Sequence, residues 1–286
     1  MAFAVNIQRV MADSAVGLTP RHLSLVKAAA IVACDADDGV TDKVVEDPRS
    51  CSFDPSTLQC NGSGAQDCLS PGQVAAVCSL YAGVVNPRTG ARLMSGPAPG
   101  GEPAWALFSP GVFPIGGNYF RDLVMRDASW NMASLDLDRD IARALAEDRA
   151  EITATKTNLS AFVARGGKLL LWHGWTDGMI PAKNTIEYYD GVLADSGREA
   201  ARAIRLFMLP GVDHCSGGEG TYSVDVLQAI DAWVERGETP ERIVARRPLQ
   251  GGTRRTRPLC AYPQIARYQG TGSTDDERNF LCTIAR

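Results

Sequence analysis

The sequence predicts an α/β fold in which two buried parallel strands end in polar loops. A continuous apolar run occupies residues 169–172, and a second run occupies residues 206–209. Short apolar runs without alternation are typical of strands that are buried on both faces. Between the two runs, IEYYDGVLA predicts a helix that Asn184 or Thr185 opens. A strand, a helix and a second strand in this order indicate part of a parallel sheet.

Each predicted strand places one acid–base residue in the loop after its carboxyl end. Asp177 follows the first run and His214 follows the second, 37 residues later. Open α/β sheets bind their ligands at the carboxyl ends of the strands. An Asp-Gly pair is usually only a turn, and most histidines are structural. However, α/β-hydrolases order their triads as nucleophile, acid and histidine, so the two residues together favour a catalytic pair.

Three motifs carry a resemblance to a known family: HGWTDGMIP, the YYD helix and GVDHC. They are similar to motifs of the tannase and feruloyl esterase family, and the resemblance extends over nearly the whole chain. It implies an α/β class with a partial α/β-hydrolase fold, formed by the last strands and helices of the sheet, and a large loop-rich lid domain. It also implies that His214 is the general base and that Asp177 orients it.

The predicted domain organisation has three parts. Residues 1–33 form a helical segment that leads into the lid, and residues 34–150 form the lid with a calcium loop and disulfides. Residues 151–286 form the C-terminal part of the hydrolase core, which carries the Asp and the His.

Local sequence signals predict the helices in order. Thr19 as N-cap and Pro20 at the first position begin a helix over residues 19–32. Ser70 caps a second helix that starts at Pro71. Further helices are expected at 138–148, in LSAFVAR after Asn158, and in TYSVDVLQAIDAWVERG. The predicted apolar face of this last helix comprises Val226, Leu227, Ile230, Trp233 and Val234.

The acidic stretch CDADDGVTDKVVEDP has the composition of a cation loop. Hard cations such as Ca²⁺ take six to eight oxygen ligands, and five potential donors lie here within ten residues. They are the carboxylates of Asp35, Asp38 and Asp42 and the carbonyls of Val40 and Val44. Composition alone leaves a solvated acidic turn equally open. The family resemblance implies a structural calcium, which Lys43 would weaken.

Six of the eight cysteines form pairs that are close in sequence. The pairs are Cys34–Cys51, Cys60–Cys68 and Cys260–Cys282, and the family resemblance implies the same pairing. Paired cysteines indicate an oxidising compartment, so we expect a secreted or periplasmic protein. Cys78 and Cys215 remain. They could pair with each other, but the resemblance implies that the partner of Cys215 directly precedes the nucleophilic serine. We therefore expect Cys215 to be a free thiol.

Residues 51–130 are rich in loops and aromatic side chains. Long irregular segments of this kind are usually lids or binding loops. Trp105, Phe113 and Phe120 are therefore candidates for an aromatic-acid pocket, although each taken alone better suits the small core of a loop-rich domain.

Charge and hydropathy exclude several partners. A net charge of −4 without a basic cluster argues against nucleic acid, and no apolar run is long enough to span a membrane. The first residues lack the pattern of a signal peptide. Cystines without a signal peptide suggest that the natural N-terminus is missing.

The nucleophile is the element that the sequence does not supply. No serine has glycine two residues before and two residues after it, as the G-x-S-x-G elbow requires. We expect an esterase for small aromatic esters whose N-terminal hydrolase segment is a missing partner, so that this chain alone hydrolyses esters negligibly. The alternative is a non-catalytic, calcium-stabilised, disulfide-bonded binding domain derived from such an esterase.

Overall fold

The computed structural model describes residues 1–62, 67–148, 152–248 and 254–284. Within them the α-helices are α1 (Ala2–Ala12), α2 (Pro20–Cys34), α3 (Pro71–Ala82), α4 (Ile115–Asn118), α5 (Arg139–Asp148), α6 (Ser160–Ala164), α7 (Lys183–Ala203) and α8 (Val226–Arg236). The strands are β1 (Val84–Val85), β2 (Arg92–Met94), β3 (Leu169–Gly174), β4 (Ile204–Leu209), β5 (Arg242–Pro248), β6 (Arg254–Cys260), β7 (Gln264–Tyr268) and β8 (Phe280–Ile284). None of the described helices has the length and apolarity needed to cross a membrane.

The chain forms two compact units, each built from three stretches. The first comprises Met1–Ala30, Phe53–Lys156 and Gly178–Asn184. The second comprises Ile31–Ser52, Thr157–Asp177 and Thr185–Arg286. The division into three domains at residues 33 and 150 stays a prediction.

Helices surround the core of the first unit. Its fully buried side chains include Phe3 and Ile7 of α1, which lies within the predicted helical segment 1–33. The start of α3 follows the prediction, because Ser70 and Gln73 form a reciprocal capping box. Gln73 N donates to Ser70 Oγ, and Ser70 N donates to Gln73 Oε1.

The second unit contains the predicted parallel pair, with β3 and β4 aligned from Leu169↔Ile204 to Gly174↔Leu209. Strand β4 is almost entirely buried, as its apolar run predicts. Strand β3 is not buried on both faces as predicted, because Trp172 is 42% exposed. Within the described residues β3 has β4 as its one sheet neighbour, so less of its surface is covered.

The apolar face predicted for α8 is wider than the face that is buried. Trp233 is buried and lies under the cationic groups of Lys168 and Arg205, 5.5 and 5.6 Å from its ring centre. Leu227 and Val234, in contrast, are 76% and 56% exposed. The periodicity correctly gave a helix, but it could not show that only the side around Trp233 packs against the unit.

Two hairpins, neither of them predicted from the sequence, complete the second unit. Strand β5 pairs antiparallel with β6, and β7 pairs antiparallel with β8. The Cys260–Cys282 disulfide joins the end of β6 to β8. Tyr262 N donates to Leu206 O at 2.8 Å, which fastens the chain after β6 to β4. An isolated bridge between Phe207 and Ala261 lies beside this bond, so the β5–β6 hairpin is attached to β4.

Candidate active site

The carboxyl ends of β3 and β4 set two loops side by side. The strands end in register at Gly174 and Leu209, and Trp175 N continues the ladder by donating to Leu209 O at 2.9 Å. Asp177 N donates back to Gly174 O at 3.2 Å, so Asp177 follows β3 in a tight turn. A glycine is required at 174, because a Cβ there would lie 2.2 Å from Val212 O.

The loop after β4 is fastened to this turn by Thr176. Its backbone N donates to Val212 O at 3.1 Å, and its hydroxyl donates to Asp213 Oδ1 at 2.8 Å. Both acceptors directly precede His214 in the chain. The two bonds therefore fix the position of the His214 backbone relative to the Asp177 turn.

These loops bring together the two predicted acid–base residues. His214 Nδ1 lies 2.8 Å from Asp177 Oδ2. The carboxylate is only 4% exposed, whereas the imidazole side chain is 38% exposed. A carboxylate accepts hydrogen bonds, so Nδ1 carries the proton and the Nε2 lone pair is available as a base. This arrangement can remove a proton from a hydroxyl group and stabilise the imidazolium that forms.

A second histidine contacts the same carboxylate oxygen. His173 Nε2 lies 3.3 Å from Asp177 Oδ2, and His173 Nδ1 lies 2.7 Å from Thr185 Oγ1. His173 was not among the predicted site residues. Its position at the end of β3, four residues before Asp177, was the available signal.

The acidic loop folds around the buried carboxylate of Asp35, whose Oδ1 accepts from Asp42 N and Val44 N at 3.2 and 3.1 Å. Asp38 Oδ1 accepts from Val40 N at 2.8 Å. Burial, with a smaller repulsion from Asp42 and Asp35, raises the pKa of Asp38 to about 6. A nearby cation would relieve this penalty.

The same loop also makes contacts that oppose a calcium site. Asp42 Oδ2 pairs with Arg257 Nη2 at 2.5 Å and with Arg255 Nη1 at 3.3 Å. Burial raises the pKa of Asp42, and the two guanidinium groups partly offset that effect. Across the described residues, no three His, Cys, Asp or Glu side chains are grouped as a metal site would require. The residue types thus suit Ca²⁺, but Asp42 is directed to the arginines.

Three disulfides connect the cysteines that were expected to pair. They are Cys34–Cys51, Cys60–Cys68 and Cys260–Cys282. Cys78 and Cys215 are both exposed and form no disulfide within the part of the chain that the structure describes. Cys215 has a positive φ of 62°, which turns the chain sharply after His214.

Two of the three candidate pocket aromatics lie in the core of the first unit. Trp105 is fully buried in a T-shaped contact with Tyr81, and Phe120 is fully buried and stacked on Trp130. Phe113, in contrast, is more than one third exposed. Only Phe113 of the three therefore presents substantial surface to solvent.

Comparison with known proteins decides the family. The family model described as tannase and feruloyl esterase matches residues 2–283. The chain belongs to this family. An uncharacterized esterase of Xanthomonas campestris is 36% identical over a match that covers 93% of this chain and 55% of the relative. The mono(2-hydroxyethyl) terephthalate hydrolase of Piscinibacter sakaiensis is also 36% identical, with 91% of this chain and 51% of the relative covered.

Solved structures of the family are similar in fold. The crystal structure of feruloyl esterase B from Aspergillus oryzae matches 99% of this chain and 61% of its own, with a TM-score of 0.88 at 27% identity. The fold is therefore α/β-hydrolase-like, as the motifs predicted. This tannase and feruloyl esterase family member spans just over half the length of the curated relatives that it matches.

Proposed function

We propose that this chain carries the base and the orienting acid of a serine esterase that hydrolyses esters of aromatic carboxylic acids. The observation that carries the proposal is the 2.8 Å contact between His214 Nδ1 and Asp177 Oδ2 at the ends of two parallel strands. Family membership supports ester hydrolysis. The names of the relatives, a terephthalate monoester hydrolase and feruloyl esterases, support an aromatic acyl group.

The proposed reaction is acyl transfer through a serine. His214 Nε2 takes the hydroxyl proton as the serine oxygen attacks the ester carbonyl, and Asp177 stabilises the imidazolium. Collapse of the tetrahedral intermediate releases the alcohol, which receives the proton from His214. Water then attacks the acyl-enzyme with His214 again as base, and the carboxylic acid leaves.

The nucleophile would come from the part of the family fold that this chain does not span. Three exposed apolar side chains of the second unit support such a partner: Trp172 on β3, and Leu227 and Val234 on α8. Strand β3 also has one described sheet neighbour, so its other edge suits the addition of a strand. A preceding hydrolase segment would complete the sheet and bury these side chains.

We also propose a structural Ca²⁺ held by Asp35, Asp38, Asp42 and the carbonyls of Val40 and Val44. Binding would require Asp42 to turn from Arg257 and Arg255 toward the loop. The ion would neutralise the crowded carboxylates and take no part in the reaction. The three disulfides support a secreted or periplasmic location.

The lid predicted over residues 34–150 stays a proposal, and its larger part, after Ser52, lies in the first unit. Of the three candidate pocket aromatics, Phe113 alone stays a candidate for binding an aromatic group, since Trp105 and Phe120 already serve the core of the first unit.

Reconstitution tests the function. The chain would be assayed on ethyl ferulate and methyl gallate, alone and together with the N-terminal part of the Xanthomonas relative. We expect no hydrolysis by the chain alone and hydrolysis by the mixture, reduced at least about 10³-fold in His214→Asn. A complex that forms but hydrolyses neither ester would contradict the proposal and favour the non-catalytic alternative.

A further inference from the structure

Two imidazoles converge on one oxygen of a buried carboxylate in the second unit. Asp177 Oδ2 is 2.8 Å from His214 Nδ1 and 3.3 Å from His173 Nε2. The His173 side chain is itself mostly buried, and its backbone is held in β3 opposite Met208. Compared with His214, His173 is therefore the more rigid of the two groups that contact Asp177.

The hydrogen-bond partners of His173 select one tautomer. A neutral imidazole has one N–H, and a carboxylate can only accept. The N–H of His173 must therefore be on Nε2, directed at Asp177. Its unprotonated Nδ1 then accepts from the hydroxyl of Thr185, 2.7 Å away. Thr185 lies in the first turn of α7, so a helix holds the second nitrogen of an imidazole on the neighbouring strand.

We propose that His173 is a positioning residue, which directs Asp177 Oδ2 toward His214, while the Thr185 hydroxyl holds the ring of His173 in place. The proposal deepens the proposed esterase function and rests on it for its biological meaning. Burial of a carboxylate destabilises the fold unless hydrogen-bond donors satisfy its oxygens. Two donors on one oxygen also restrict the rotation of the carboxylate group. Thr185, His173, Asp177 and His214 thus form one continuous chain of hydrogen bonds. His214 alone is exposed enough to meet a substrate.

Imidazole nitrogen NMR on the full chain tests this directly, because the chain contains only three histidines. At about pH 8, where ordinary imidazoles are neutral, we expect the Nε2–H tautomer at His173 and the Nδ1–H tautomer at His214. His22 serves as the reference imidazole in the first unit.

A matched pair of variants separates positioning from space filling. His173→Phe keeps the ring volume but removes the donor, so the Nδ1–H population of His214 should fall. In His173→Gln the side-chain amide can donate to Asp177, and that population should recover. An unchanged His214 tautomer in His173→Phe, or an equal change in both variants, would overturn the proposal, since a structural role alone gives either result.

Thr185 provides a second, milder test if His173→Phe does not fold. Thr185→Val removes the hydroxyl while keeping the shape, so the unprotonated Nδ1 of His173 loses its donor. We expect the Nδ1 resonance of His173 to move toward that of a nitrogen without a hydrogen bond, and the Nδ1–H population of His214 to fall. Thr185→Ser should match the unsubstituted chain. Identical His173 spectra in the two variants would refute the role of Thr185.

The NMR result does not depend on hydrolysis, so the two proposals fail separately. In the reconstituted esterase, His173→Phe should lower kcat by about 10- to 100-fold with KM unchanged, because it misaligns the base without touching the substrate. Correct tautomers in a complex that hydrolyses no ester would refute the proposed function and leave the positioning role intact.

Discussion

The hydroxyl of Thr176 donates to Asp213 Oδ1 at 2.8 Å and joins the Asp177 turn to the His214 loop. Thr176→Val removes this bond and leaves a carboxylate oxygen with one donor fewer. We expect the free energy of unfolding in urea to fall by about 1–2 kcal/mol. Amide exchange should also accelerate at Val212 and Asp213, because the loop loses its side-chain tether.

Thr176→Ser is the control for that substitution. It keeps the hydroxyl, so its amide exchange should stay close to that of the unsubstituted chain. Equal acceleration in Thr176→Ser and Thr176→Val would mean that the methyl group, and not the hydrogen bond, holds the loop.

Gly174 permits the close approach of the two loops, and a methyl group there should separate them. In Gly174→Ala the added Cβ would meet Val212 O at 2.2 Å and Asp213 O at 2.8 Å. Backbone atoms cannot rotate away, so we expect at least about 3 kcal/mol of destabilisation in urea unfolding. We also expect loss of the imidazole contact between His214 and Asp177.

Gly72 supplies the matching control. It lies in α3, and the atom nearest to a Cβ added there would be Ser70 Oγ, at 3.9 Å. Gly72→Ala should leave the stability unchanged or raise it by up to about 1 kcal/mol. Comparable losses in both variants would show that crowding by Val212 is not the cause.

The sequence was sufficient to place Asp177 and His214 because their positions follow from chain order and strand polarity. Buried parallel strands have a local signature, and their carboxyl ends must meet at one edge of a sheet. Ser70 was predictable for a similar reason, since a capping box involves residues only three positions apart. Features that depend on residues close together in the chain can therefore be predicted from the sequence.

The remaining features depend on contacts between distant segments. The exposure of Leu227 depends on which elements pack beside α8, and the spacing of apolar residues along a helix does not contain that information. The pairing of Asp42 with Arg257 joins residues 215 positions apart, so the cation loop could not reveal it. The alternation in β5 to β8 was short and interrupted by arginines and two prolines, so the hairpins were missed. His173 gained a role only when the fold placed it beside Asp177 and Thr185.

Glu102 of the first unit should make stability depend on pH. Its carboxyl group is fully buried, accepts from Tyr81 OH and Gly100 N, and has no partner for Oε2 among the described residues. Burial is the main cause that raises the pKa of Glu102 above its ordinary value of 4.5. The folded state therefore holds this proton more tightly than the unfolded state, so stability falls as the pH rises from about 4.5 through the raised pKa.

Glu102→Gln removes that titration and keeps an acceptor for Tyr81 and Gly100. We expect its free energy of unfolding, measured in urea from pH 4.5 to 8, to decline less than that of the unsubstituted chain. Glu147→Gln changes an exposed carboxylate of α5 by the same charge and serves as the control. Parallel pH profiles for Glu102→Gln and the unsubstituted chain would contradict the prediction.

Calcium should stabilise the second unit if the loop from Asp35 to Val44 holds it. A ligand that binds only the folded state, present at 100 times its Kd, adds about 2.7 kcal/mol to the free energy of unfolding. Saturating Ca²⁺ should therefore raise the melting temperature, and a chelator should reverse the change.

Asp38→Asn removes a proposed ligand and should weaken calcium binding, measured by titration calorimetry. Asp37→Asn makes the same charge change at an exposed neighbour and should bind calcium normally. Equal weakening in both variants would indicate general charge attraction. If Ca²⁺ has no effect on the unsubstituted chain, the arginine pair at Asp42 replaces the ion.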